Sequence, residues 1–412
     1  QDYENAIRCF NKARGMADDD ELKVQLLFDM ADVYIKMDEW KNVAGCWNEI
    51  IKVDDENVKA RTRKLQYFYI MADTGAGRIW QDIISQSSEM IDIVEQKNIG
   101  QENIEKWLQP QLVKEDDYKG PIKPFLYFVR GRANLEIATA GGVTDPEKSF
   151  AKALEDLQLV TSQKPDMIQA FQYLAQARIS NAQLMASRGD SQALETAFDK
   201  AAEILKQAIE NSPSNPQAHL NLISIKPRLE NMQTREDLLT LEDDYLALAE
   251  KFPQSPEIYY AIANYYRSFD LDKAIQAAKK AAKLAPENIS YAVNAAQLNY
   301  KKYVLNEEPQ FAQYAIELAK NVLELPQAQE TNGPRRWAHR NNRFAVLAFL
   351  GQYYVEQIVE PHGITVTEEQ KTEIINQLQQ VVHNIEQIFG SGQEQQVIKW
   401  KGMLNLAQGK TT

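Results

Sequence analysis

The stretch Ser255 to Asn288, SPEIYYAIANYYRSFDLDKAIQAAKKAAKLAPEN, decides the fold. Its second half ends at Pro286, and Ala274, Ala278 and Ala281 stand twelve, eight and five positions before that proline. Steps of four and three put the alanines on one helix face, a turn apart. Proline cannot continue the helix and pushes its predecessor out of the α region, so it marks the stop. In the first half, Tyr259, Ile262, Ala263 and Tyr266 share a face of another helix. The small Ala263 lets the two helices approach closely, and the tyrosine fills space between neighbouring pairs.

The second-helix pattern recurs along the chain. Ala153, Leu157 and Val160 precede Pro165; Ala201, Leu205 and Ala208 precede Pro213; Leu241, Tyr245 and Leu248 precede Pro253. The same slots appear earlier with an aspartate in the proline position: Val43, Trp47 and Ile50 before Asp55, and Ala6, Phe10 and Ala13 before Asp18. Upstream of Asp55, Leu27, Met30, Ala31 and Tyr34 repeat the first-helix face. On these residues the chain resembles the tetratricopeptide repeat family, whose large–apolar–small–Tyr…Ala…Phe…Ala…Pro pattern is carried nearly slot for slot. The best match is Ser255 to Asn288, one residue short in its internal turn, and the second is Gln25 to Asn57. The resemblance implies an all-α, right-handed superhelical solenoid of antiparallel helix pairs, roughly eight to ten of them at the family's period of about 34 residues. The repeats are irregular, because the four prolines lie 48, 40 and 33 residues apart. The long gaps call for extended first helices or enlarged loops, and NAQLMASRGDSQALETAF (Asn181 to Phe198) is the clearest insertion.

At 412 residues the chain exceeds the ordinary size of one globular core. A solenoid escapes that limit, since each repeat contacts only its neighbours. Apolar content of 44% suffices for a continuous core, and the net charge of −12 argues against nucleic-acid binding, which wants a basic face. No run approaches the roughly 18–20 apolar residues of a membrane helix. The chain opens on Gln1, inside a repeat, with Asp2 to Ala13 reading as a second helix without its first. A mature form or an excised piece of a longer protein is therefore expected, and the compartment stays open: cytoplasmic, or periplasmic or extracellular if a signal peptide was removed. Cys9 and Cys46 occupy equivalent slots on successive second helices, on the order of 10 Å apart, too far for a disulfide. Both are expected to be buried packing residues.

Five segments are expected: residues 1–113 as an N-terminal repeat segment, 114–124 as a linker or kink, 125–325 as the central array, 326–334 as a break, and 335–412 as a C-terminal repeat and cap. Within the first, helices are expected near Val58 to Ala72 and Ile79 to Gln96, with a Gly75/Gly77 turn. Gln109 to Pro124 holds three prolines, a glycine and an acid cluster. Helix is expected from Phe125 to Ala140, with Asp145 and Pro146 as N-cap and first residue of the next. The last helices are expected over Arg335 to Val359, Thr367 to Phe389 and Gln393 to Ala407, with a capping box between Thr367 and Gln370.

Three constellations are candidates for binding. On a helix, Arg336, His339, Arg340 and Arg343 fall on one face, with Trp337 alongside. Such a cationic strip could hold a carboxylate, a phosphate or an acidic peptide through forked guanidinium contacts; a solvated or ion-paired face is the alternative. Asn221, Asn264 and Asn294 sit on first helices, which in the family line the concave face. A side-chain amide can pair with a peptide main chain in both directions, although Asn264 is out of register with the other two. In the doublets Tyr259/Tyr260, Tyr265/Tyr266 and Tyr353/Tyr354, one member should be core and the other could face the groove. Family members that bind chaperone C-termini use a clamp of Lys, Asn and Arg over three first helices. Here the corresponding early positions hold Gln25, Asp29 and Asp32, which disfavours that partner.

Catalytic readings are weaker. Asp73–Thr74–Gly75 is a lone DTG without the second carboxylate an aspartic protease shares its proton with. Gly409 to Thr412, GKTT, lacks the glycine a phosphate loop needs, Leu404 standing there. The four histidines have no ligand spacing. Asn288–Ile289–Ser290 is a formal sequon at a repeat boundary. The expectation is a non-catalytic protein–protein interaction scaffold that binds an extended peptide or partner helix in its concave groove. The partner is another protein or peptide, acidic if the arginines carry it, with no nucleic acid, cofactor, metal or membrane insertion. Two rivals stay open: the targeting arm of a larger enzyme such as a transferase, and a structural subunit of an envelope or secretion assembly.

Overall fold

The computed structural model describes all residues except 1, 76–78, 114–117, 142, 191, 307, 326–332, 334, 360–365, 391–394 and 411–412, and the side chain of Trp337. Among the described residues there is no β-strand, only an isolated bridge between Asn103 and Pro121. The helices are α1 (Tyr3–Met16), α2 (Asp20–Lys36), α3 (Trp40–Val53), α4 (Val58–Asp73), α5 (Trp80–Gln96), α6 (Ile122–Thr139), α7 (Pro146–Gln163), α8 (Ile168–Ser187), α9 (Gln192–Asn211) and α10 (Pro216–Leu229). There follow α11 (Arg235–Leu239), α12 (Leu241–Lys251), α13 (Pro256–Tyr266), α14 (Leu271–Leu284), α15 (Ile289–Asn306), α16 (Pro309–Glu324), α17 (Arg336–Val359), α18 (Glu368–Phe389) and α19 (Gln395–Ala407). The pairs α2/α3, α8/α9, α13/α14 and α15/α16 pack along their lengths, and α3, α9 and α14 also pack on the first helix that follows, α4, α10 and α15 respectively.

The local chemistry explains each boundary. Asp270 accepts from the N–H groups of Asp272 and Lys273 at 3.0 Å, satisfying two of the four orphan donors at the start of α14. The same helix stops where Pro286 follows its C-cap Ala285. Asp145 caps α7 through the N–H of Lys148 at 3.0 Å, with Pro146 at the first position. Thr367 and Gln370 form both bonds of a capping box on α18. Helix α6 begins at Ile122, earlier than Phe125, because Pro124 falls in the first turn, where a missing N–H leaves no bond unmade. Before it, Ile104 N–H reaches Gly120 O at 2.8 Å and Ile122 N–H reaches Glu102 O at 2.9 Å. These contacts close residues 102–122 into a loop at its base. Within that loop Leu108 and Leu112 are buried.

The chain divides into two compact units, Gln1–Asp244 with Asn332–Trp337, and Tyr245–Thr331 with Ala338–Thr412. In the first, one core gathers Leu27, Met30, Val43, Trp47, Ile50 and Tyr67, and a longer one runs from Leu65 to Ala218. In the second, α15 to α19 enclose Ile289, Val322, Leu347, Leu378, Val382 and Trp400. The slot residues are where the repeat puts them: Ala153, Leu157, Val160, Ala201, Ala208, Ala274 and Ala281 are fully buried, as are Ala31 and Ala263. In each tyrosine doublet one ring is core (Tyr259, Tyr266, Tyr354) and the other half-buried.

The irregular proline spacing has two structural causes. Between Pro165 and Pro213, α8 and α9 each run to 20 residues, so most of the insertion 181–198 lengthens a helical hairpin. Between Pro213 and Pro253, the short α11 is interposed with its own capping box on Thr234 and Asp237. One expectation fails: Cys46 is buried but Cys9 is exposed. Helix α1 packs on α2 and contributes no buried residue, so the slot that Cys9 shares with Cys46 is uncovered. The break 326–334 and residue Gly77 lie largely outside the described residues.

Two substitutions should move stability in opposite directions. A Cβ on Gly351 would stand 2.5 Å from the Trp400 ring, whereas one on Gly45 in α3 meets nothing within 4 Å. Gly351→Ala should cost about 1–3 kcal/mol and Gly45→Ala should gain about 0.5–1 kcal/mol, read as urea midpoints of each variant. Burial pushes the Cys46 thiol up to about 11. A maleimide at pH 7.5 should therefore label Cys9 alone in the native protein and both thiols only after denaturation, with intact mass as the readout.

Candidate functional site

The helix pair α13 and α15 brings two of the three asparagines together. Asn294 donates through Nδ2 to Oδ1 of Asn264 at 3.1 Å. One turn back on each helix, the Tyr260 and Tyr291 rings meet at 5.1 Å between centroids, tilted by 45°. Asn264 is exposed and Asn294 buried, and among the described residues the Nδ2 of Asn264 and the Oδ1 of Asn294 make no hydrogen bond. The register difference seen in sequence is thus bridged by side-chain reach across neighbouring first helices. Burial pushes the Tyr291 hydroxyl up to about 12, helped by the charge of Glu257, so the phenol stays a neutral donor and acceptor. The result is an amide pair beside an aromatic shelf, with one donor open to solvent.

Asn221 is placed differently. It is buried on α10, accepts from Gln217 Nε2 at 2.7 Å, and has a buried Nδ2 without a bond. The arginines of α17 have dissimilar surroundings. Arg336, in the first unit, reaches the carbonyl of Gly333 at 3.5 Å. Arg340, in the second, lies with its guanidinium 4.4 Å from the Phe389 centroid, so one face of that cation is already covered. Arg343 is half-buried and, among the described residues, makes no ion pair or hydrogen bond. The side chain of Trp337 lies outside the described residues.

A small residue fully buried in each pair, a helix stop just before each proline slot, and stacking restricted to neighbours together fix the class. The fold is tetratricopeptide-repeat-like. No protein-family model matches the chain, and no curated protein sequence matches it. Among solved structures it is similar to yeast Tom70, at 14% identity over 99% of this chain and 92% of that one, with a TM-score of 0.33. It is also similar to TTC0263, a thermophilic TPR protein in Thermus thermophilus, at 16% identity over 55% and 98% of the two chains, TM-score 0.33. MamA from Desulfovibrio magneticus RS-1 gives 18% identity over 48% and 97%, TM-score 0.28. The assignment rests on the helix pairs themselves.

The tetratricopeptide-like array also holds charged clusters that its sequence does not announce. Arg132 on α6 donates to Tyr69 Oη at 2.7 Å and to Asp73 Oδ1 at 2.5 Å. Its guanidinium lies over the rings of Tyr69, Trp80 and Tyr173 at 4.6–5.4 Å. The DTG aspartate is therefore a structural anion that ties α4 to α6. Arg130 forms a fork with Asp156 on α7 at 2.8 and 2.9 Å, and Asp156 is 1% exposed. On α4, Lys59 and Arg63 lie over the Phe28 ring, and burial holds both below their ordinary pKa. Partners 26 to 63 residues apart give no local signal in the sequence. Among the described residues no group of three His, Cys, Asp or Glu side chains could hold a metal ion, and no helix is long and apolar enough to cross a membrane.

The Arg130–Asp156 fork yields a stability test. Asp156→Ala should cost about 3–5 kcal/mol, because it strands a buried guanidinium. The double variant Arg130→Met with Asp156→Leu exchanges the pair for apolar side chains, and it should recover most of that loss in chemical denaturation.

Proposed function

We propose that this chain is a non-catalytic protein–protein interaction scaffold that binds an extended peptide or a partner helix along the face lined by its first helices. The observation that carries this reading is the patch on α13 and α15, where the Asn264–Asn294 amide pair sits one turn from the tilted Tyr260–Tyr291 ring contact. A peptide main chain presents a donor and an acceptor per residue, and a side-chain amide answers both. A flat, amphipathic phenol beside it supplies contact area at low conformational cost. Arg343, half-buried and without an ion pair among the described residues, is a second contact that suits an acidic residue in the same partner. Arg336 and Arg340, and Asn221 on α10, are assigned supporting roles. No residue set among those described combines nucleophile, acid–base pair and oxyanion donors, so the reading assigns no chemistry to the array.

The test is capture of a partner on the immobilised chain from the source organism, followed by affinity measurement on the retained protein. Asn264→Ala with Tyr260→Ala should weaken that affinity about tenfold or more, the equivalent of one lost hydrogen bond and one aromatic contact. Arg343→Glu should weaken it further if the partner segment is acidic. A partner that ignores both variants removes the first-helix face from the reading. Absence of any specific partner removes the scaffold itself.

A further inference from the structure

We propose that the cleft around Arg178 is a second docking site, one that takes an acidic side chain from an extended protein segment. It rests on the scaffold reading only in taking the ligand to be a protein. Arg178 stands on α8 between α7 and α9, and two cavities of about 380 and 500 Å³ both have it in their walls. The first is completed by Leu154, Asn181, Met185, Thr196 and Lys200, the second by Thr161, Phe171, Gln207 and Asn211.

The guanidinium is the point of interest. Its Nε is buried without a hydrogen-bond partner, and among the described residues Arg178 makes no ion pair. The Nε of Arg132 on α6 is likewise without a hydrogen bond, but that arginine has Asp73 as an ion-pair partner, and Arg130 has Asp156. An unmatched buried donor is a standing cost, and a fork of N–H groups matches a carboxylate best. Lys200 shares the first cavity and likewise has no ion pair among the described residues, so two positive charges face one space.

The remaining titratable groups narrow the ligand. Asp190 lines the first cavity but accepts from Ala193 N–H at 3.1 Å, capping α9. Glu210 lines the second and lies beyond ion-pair distance of Arg178. Two acids at the margins oppose a polyanion and leave room for one carboxylate. Both cavities are open-sided. A metabolite site encloses most of its ligand, whereas an open cleft suits a side chain on a segment lying across the surface. Apolar walls flank the arginine on each side, Leu154 and Met185 in one cavity and Phe171 and Ile204 in the other, for the residues on either side of the acid. Asn181, Met185, Gln192 and Thr196 belong to the 181–198 insertion, which lengthens α8 and α9 to 20 residues each.

The probe is the blocked pentapeptide acetyl-ALELA-amide, with acetyl-ALQLA-amide, sodium acetate and inorganic phosphate beside it. The readout is the Arg178 Nε–H resonance in the 15N-labelled full chain, assigned through Arg178→Gln. ALELA should shift that resonance saturably, ALQLA should bind at least about tenfold more weakly, and Arg178→Gln should abolish saturation with an unchanged melting temperature. Arg178→Lys, which keeps the charge and loses the fork, should give intermediate binding. If Arg178→Gln fails to fold, Lys200→Gln at an exposed position of the same cavity must weaken ALELA instead. Equal responses to ALELA and ALQLA, an equal response to acetate or phosphate, or no shift at Arg178 would each overturn the proposal. The Asn264→Ala and Tyr260→Ala double variant should leave the Arg178 response intact, so failure here and failure of the first-helix face are separable.

Discussion

The close approach of paired helices at a buried alanine is the constraint on which everything else depends. Ala31, Ala153, Ala201, Ala263, Ala274 and Ala281 have no accessible surface. A helix pair with apolar residues on both faces cannot bury them alone, so each pair needs the next. Dispersion at these contacts falls steeply with separation, and a gap of about half an ångström to one ångström forfeits a quarter to a half of it. A larger side chain at one crossing would therefore loosen the pair and its neighbours together. Gly351 shows the limit of the rule, since the Trp400 ring occupies the space where even one methyl group would stand.

Electrostatics is layered on this packing in two ways. Where cations are deep and between helices, they are paired: Arg132 with Asp73, Tyr69 and a cage of three rings, Arg130 with the Asp156 fork. These ties fix the alignment of α4, α6 and α7, because a fork tolerates little sliding. Elsewhere cations are left without an acid: Arg178 and Arg343 among the described residues, with Lys59 and Arg63 settled on a phenyl ring. In a chain of net charge −12, acids are not scarce. A half-buried guanidinium that still lacks one marks a place where stability was not the controlling demand.

The parts that were legible in sequence are those with a local period. The proline slots, the small residues, the tyrosine doublets and the Thr367 capping box each need only neighbours within one or two turns to be read, and the structure has them there. What was not legible depends on what lies across the gap. Cys9 and Cys46 have the same slot, yet one is exposed because α1 has α2 on one side and nothing among the described residues covering the other. Asn264 and Asn294 differ in register along their helices and still meet, since two side chains span the offset. Asp73 and Arg132 are 59 residues apart, and no spacing rule connects them. The insertion at 181–198 leaves extended helices and enlarged loops both open in sequence; in the structure Gly189 and Asp190 serve a tight turn and a cap between two longer helices.

That last feature joins the packing to the function. Adding turns to both members of a hairpin leaves the repeat slots Ala201, Leu205 and Ala208 buried. The extra length creates new wall, to which Asn181, Gln192 and Thr196 contribute polar side chains, while Ala182, Leu184 and Ala197 pack on the core side. A solenoid is suited to such an addition, since each repeat answers only to its neighbours and one can be altered while the rest of the array keeps its geometry.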